Sequence, residues 1–256
     1  MADTTTRADR QGPDAPDLVL PRRLWSARAV AAVALVVLVP VVSVFVLRLL
    51  DRTEFESTAL PGPVDRIDVQ LARGSVELVP ASPDVVDVEI EKTTEWRFSR
   101  PSTSSEVDSE GGTARIRASC PRIVLVVGTC SVDYRVQVPS GVRVTVRTDS
   151  GTVTATGLDG WLRVVTSGGR IVATDLSSPE ALIDSGGGSV TLAFESPPSR
   201  VETLSRGGAV DITLPDGAYD VRTSPADAET SIAVPTDRSA ERSIVIDSGG
   251  GHIRVR

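Results

Sequence analysis

Three carboxylates, Asp87, Glu89 and Glu91, occupy alternate positions of one short run, with Val86, Val88 and Ile90 between them. On a strand, residues two apart stand about 6.5–7 Å apart on one face, within the carboxylate spacing of an inverting glycosidase. A polysaccharide-active enzyme is therefore one chemistry these residues could support, and a solvated strand face is the simpler reading. Cys120 and Cys130 are the only cysteines and His252 is the only histidine. A structural metal needs about four ligands, so this set holds none, and two cysteines placed outside the cell read as a disulfide. A Ser-His-Asp hydrolase would have to use His252 almost at the terminus, with no nucleophile-elbow pattern beside it. The Asp-Ser-Gly turns invite a calcium reading, but Asp precedes the glycines where the calcium-binding nonapeptide has it after them. No catalytic residue and no cofactor are assigned.

Two further groups could bind without catalysing. Arg135, Arg143, Arg147 and Arg163 fall on outward positions of neighbouring strands and would align into a strip for anionic wall polymer or lipid headgroups if the strands stack. Pairing with nearby Asp is the plainer expectation. Inside the cysteine loop, Ile123, Val124, Leu125, Val126 and Val127 form an apolar run without alternation. It fits either a strand tucked against the core or an exposed patch for a partner protein.

The elements that must position these residues are short strands. The chain has 256 residues with 21 Gly and 17 Pro, and its apolar residues are mainly Val, Ala, Leu and Ile. Runs such as Val132-Asp133-Tyr134-Arg135-Val136-Gln137-Val138 and Val142-Arg143-Val144-Thr145-Val146 alternate with period two, placing Val on a buried face. Between the runs recur Asp149-Ser150-Gly151, Ser167-Gly168-Gly169, Asp184-Ser185-Gly186, Arg206-Gly207-Gly208 and Asp247-Ser248-Gly249. Gly supplies positive φ in tight turns, and Asp or Ser bonds the local backbone.

The last inward residue before each turn and the first after it lie seven apart. The pairs are Val69 with Val76, Val107 with Ala114, Val146 with Val153, Val164 with Ile171, Ile183 with Val190, Thr203 with Val210, Pro225 with Ile232, and Ile246 with Ile253. From Val146 the units recur at 18, 19, 20, 22 and 21 residues. A period near 20 is the mark of stacked coils that share one core. The expected fold is all-β: a right-handed β-solenoid or β-helix-like stack of short Gly-cornered strands, with a β-sandwich of hairpins as the alternative. The stack would end at Ile253-Arg254-Val255-Arg256, with the two arginines as edge charges.

Ahead of the strands, residues 29–47 are nineteen uncharged, largely apolar positions. As a helix they would cover about 28 Å, the thickness of a bilayer core. The run is too long for a signal peptide and lacks a small-x-small exit, so an uncleaved anchor is expected. Arg22, Arg23 and Arg28 before it outnumber Arg48 and Arg52 after it, which places the N-terminus in the cytoplasm. The organisation expected is a disordered cytoplasmic tail (1–28), a transmembrane helix (29–50), a linker (51–63) and an extracytoplasmic β-repeat domain (64–256). The formal charge is −7, and residues 57–256 carry all of it, which argues against nucleic acid as a partner.

Ser131-Val132-Asp133-Tyr134-Arg135-Val136-Gln137-Val138-Pro139-Ser140-Gly141 and the Ser-Gly-Gly repeats that follow resemble the bacterial putative-adhesin domain family. The likeness spans roughly residues 64–256 and is similar to membrane-anchored members in actinobacterial-type genomes. It implies a solenoid-like β fold on the cell surface and no established biochemical activity. The reading is a cell-membrane protein, single-pass, with an extracellular non-enzymatic module for adhesion or envelope interaction. Its partners would be the membrane and wall polymer or another envelope protein. The alternatives are a sensor or scaffold signalling through the helix to a separate cytoplasmic partner, and the polysaccharide-active enzyme above.

Overall fold

The computed structural model describes residues 35–42, 51–108, 112–121, 130–224 and 229–256. It comprises two units, Met1–Leu49 and Leu50–Arg256. In the first, residues 35–42 are helical, with side chains such as Leu35, Val36 and Leu38 exposed. No helix among the described residues is long and apolar enough to cross a membrane. The remainder of the 29–47 segment lies outside the described residues.

The second unit is built of strands. The first seven are β1 (Arg52–Leu60), β2 (Arg66–Arg73), β3 (Val76–Pro80), β4 (Val88–Trp96), β5 (Ser102–Asp108), β6 (Thr113–Ser119) and β7 (Cys130–Val138). The next six are β8 (Arg143–Ser150), β9 (Val153–Thr156), β10 (Leu162–Thr166), β11 (Ile171–Leu176), β12 (Glu180–Ser185) and β13 (Val190–Phe194). Then come β14 (Arg200–Ser205), β15 (Val210–Thr213), β16 (Asp220–Ser224), β17 (Thr230–Ile232), β18 (Ser243–Asp247) and β19 (Ile253–Val255). They form two sheets, β1-β4-β7-β3-β9-β11-β13-β15-β19-β17 and β16-β18-β14-β12-β10-β8-β2-β6-β5.

From β8 to β15 the chain alternates between the sheets, and each strand pairs in parallel with its counterpart one coil away. A sandwich of hairpins would have paired successive strands antiparallel within one sheet. The alternation of the sequence becomes columns of inward side chains. Val69, Val146, Val164, Ile183, Thr203 and Ile246 stand in register in the second sheet. Val76, Val153, Ile171, Val190, Val210 and Ile253 do so in the first. These columns meet across a single core, and nearly every member is buried to within a few per cent. No coil could bury its own four or five apolar residues alone, so stacking supplies the hydrophobic stabilisation.

Glycine has a different role from the one its turns suggest. A Cβ on Gly169 would fall 1.8 Å from the carbonyl oxygen of Gly151, and one on Gly188 would fall 2.0 Å from that of Gly169. Gly74, Gly151, Gly208 and Gly251 repeat the arrangement, each with a backbone oxygen of the adjoining coil within 2.3 Å. Gly169, Gly188, Gly208 and Gly251 lie outside the left-handed region. At those corners close backbone approach, rather than positive φ, demands glycine. Beside them runs a buried column of hydroxyls, Thr148, Thr166, Ser185 and Ser205, in register from coil to coil. The Gly169 amide donates to Thr166 Oγ1 at 2.9 Å, and Ser185 Oγ donates to the Gly188 carbonyl at 2.8 Å. These bonds satisfy backbone groups that the corner would otherwise bury unpaired.

Several expectations need correction. The last coil in sequence is not the last in space: β18 lies between β14 and β16, and β19 between β15 and β17. The edges at this end are therefore β16 and β17. Arg254 and Arg256 are not edge charges of a terminal strand; both guanidiniums approach Asp211 on β15, at 3.4 and 3.8 Å. Val107 and Ala114 are cross-strand partners in the antiparallel β5–β6 hairpin, not two sides of a corner. Ile232 is in register with Val255; Thr230 is the residue beside Ile253, while Pro225 lies outside the described residues. Residues 51–63, read as a linker, contain β1, which pairs antiparallel with β4 along its whole length. β1, β4 and β5 close the N-terminal end of the stack with antiparallel pairs.

Candidate functional site

The four arginines do not form one strip. Arg135 is on β7 of the first sheet, whereas Arg143, Arg147 and Arg163 are on β8 and β10 of the second. Arg135 pairs with Glu77 at 3.1 Å and Arg147 with Asp68 at 3.1 Å. Glu77 of β3 is in register with Arg135, and Asp68 of β2 reaches Arg147 from the diagonal position two residues away, which neutralises both locally. Arg143 stands in register with Arg66 beside a polar cleft that also receives Thr113 and Ser140.

The acidic row is similarly engaged. Asp87 accepts a hydrogen bond from the Gly62 amide at 3.0 Å, and Glu89 accepts one from Gln137 Nε2 at 2.7 Å. Glu91 is in register with Arg135. His252 Nδ1 lies 3.3 Å from Glu229 on the exposed surface. Among the described residues no group of three or more His, Cys, Asp or Glu could hold a metal ion. Cys120 and Cys130 form a disulfide, which joins the end of β6 to the start of β7. The run Ile123, Val124, Leu125, Val126 and Val127 lies outside the described residues.

The arrangement with most to offer is one the alternation pattern passes over. On the outer face of the second sheet, Arg163, Leu182, Glu202 and Val245 are in register across β10, β12, β14 and β18. Two residues along, Val165, Asp184, Leu204 and Asp247 form a second row. Each aliphatic side chain thus has charged neighbours on both sides, in a chequered pattern. Together they line a shallow groove of about 270 Å³. Leu204 and Val245 are each 37% exposed at its floor. Three acids face one arginine within the rows, and Arg206 neutralises Asp184 at 3.2 Å. Arg200 likewise pairs with Glu202, so the groove is apolar with a rim of largely paired charges. Its signal in the sequence is the failure of alternation in Val164-Val165, Leu182-Ile183 and Ile244-Val245-Ile246, where consecutive apolar residues must face opposite ways.

No family model matches the chain, and no curated protein matches it. Among solved structures it is similar to a putative cell adhesion protein from Clostridium sporogenes, at 10% identity and TM-score 0.41, over 80% of this chain and 98% of that one. It is also similar to a putative adhesin from Bacteroides fragilis, at 13% identity and TM-score 0.40, over 80% of this chain and 97% of that one.

Proposed function

We propose that the protein is a membrane-anchored, extracytoplasmic interaction module that binds another envelope protein through the outer face of its second sheet. The observation that carries this reading is the chequered groove over β10, β12, β14 and β18. Exposed aliphatic side chains on a rigid sheet gain from burial against a partner, at about 25 cal/mol per Å². Hydrated wall polymer would gain little there, because the floor is apolar and the rim charges are already paired. A protein segment that presents aliphatic side chains to the floor and polar ones to the rim fits both features. Residues 29–47 would hold the module at the outer face of the membrane, with the N-terminus in the cytoplasm.

The test uses the full chain in lipid nanodiscs, presented with isolated wall polymer or with solubilised envelope proteins. Saturable retention of one envelope protein, weakened about tenfold or more by Leu204→Glu, is the expected result. Retention that Leu204→Glu leaves unchanged, or retention on wall polymer alone, rules the groove out as the binding face.

A further inference from the structure

We infer that the β4–β5 turn, residues 96–100, is seated in the lipid interface and fixes the module against the membrane that anchors it. This rests on the membrane-anchored reading above. Asp51 lies four positions after Leu47, the end of the apolar segment, so the chain can carry Asp51 at most about 14 Å from the point where it leaves the hydrocarbon. Arg97 holds Asp51 through two hydrogen bonds, at 2.6 and 2.7 Å, and Trp96 is in register with Arg52. The turn is therefore tied to the place where the chain enters the domain.

Its chemistry suits an interface. The chain has only nine aromatic residues, yet the exposed large aromatics among the described residues, Phe55 at 66% and Phe98 at 52%, both belong to this end of the stack. Trp96 is partly exposed, with the Arg100 guanidinium 5.5 Å from its ring. Phe98 is held at φ 77°, in a region that bulky side chains seldom adopt. Glycine or asparagine would turn the chain there without strain and without exposing a ring to water. Neither folding nor solubility explains a phenylalanine at this position, whereas aromatic rings at headgroup level find a favourable environment. Arg97 and Arg100 are already paired with Asp51 and Glu54, so insertion of the rings, rather than attraction to anionic lipid, would drive the contact.

The experiment places the full chain, carrying Trp25→Phe and Trp161→Phe so that Trp96 is the sole tryptophan, in phosphatidylcholine vesicles with or without brominated acyl chains. The expected result is loss of about half the Trp96 emission in brominated lipid, little changed by high salt. Phe98→Gly should abolish most of that quenching while raising the melting temperature, since it relieves the backbone. Protein that resists alkaline carbonate extraction but shows no quenching would overturn the seating and leave the anchor standing. Protein that carbonate strips from the vesicles would overturn both, and quenching abolished by salt would replace insertion with electrostatic adsorption.

Discussion

Each coil corner turns on the space for one methyl group. Gly169→Ala would press a carbon against the Gly151 carbonyl, while Gly168, one residue earlier, faces open space. We expect Gly169→Ala to cost about 3 kcal/mol in denaturant unfolding and Gly168→Ala to cost well under about 1 kcal/mol. Equal losses at the two positions would refute close approach as the reason for glycine. Tyr134 makes the opposite case. It is almost wholly buried, and its hydroxyl finds no hydrogen-bond partner among the described residues. Burial, with a smaller push from the Glu56 carboxylate, raises its pKa to about 12. A raised folded-state pKa means the neutral form is favoured in the fold. Its contribution is intact below pH 10 and is lost as pH rises towards about 12. Tyr134→Phe should stabilise by about 1 kcal/mol and flatten that alkaline loss, as read by thermal melts across the range.

Among the elements, the β6–β7 connection and the turn after β7 carry additional ties. The disulfide closes a loop whose ends are 10 residues apart. Reducing it, or replacing both cysteines by serine, should cost about 2–3 kcal/mol, measured by denaturant unfolding with and without reductant. The turn before β8 is held by Asp159 of the next coil, whose carboxylate accepts hydrogen bonds from Ser140 Oγ and, at 2.8 Å, from the Gly141 amide. Burial works against that carboxylate, but the Ser140 and Gly141 bonds outweigh it and hold its pKa below the ordinary value. A depressed folded-state pKa gives stability that is present at neutral pH and lost as pH falls through and below 3.8. Asp159→Asn should remove that part of the acid slope and cost about 0.5–1 kcal/mol at neutral pH, since the site is solvent-exposed.

Over the whole molecule, the order of coils in space departs from their order in the chain. Because β18 and β19 are inserted beneath β16 and β17, the final residues hold the stack together rather than extend it. Asp220 through Ser224 pair only with β18, and Thr230 through Ile232 only with β19. In a stack where each coil depends on its neighbours, deleting residues 243–256 should release β16 and β17 as well. Hydrogen exchange should then show protection lost from residues 220–224 and 230–232 but kept over β10–β13. Retained protection at β16 would contradict the inserted order.

Much of this was legible in the sequence, for physical reasons that are local. Period-two alternation needs only neighbouring residues, so Val146, Val164, Ile183 and their partners seven residues on were identifiable as core. The pairing of two lone cysteines is equally local. The failures share a cause, which is that pairing between strands is non-local. The hairpin of Val107 with Ala114 mimics a corner, since both separate two inward residues by a turn. Nothing near Ile246 tells that its coil slips beneath its predecessor. Arg135 and Arg143 look like neighbours along the chain, but an intervening corner sends them to different sheets. The groove was half visible, as broken alternation at Val165, Leu182 and Val245. Only the tertiary structure, by setting four strands in register, brought those side chains onto one face, because register depends on contacts with residues about 20 positions away.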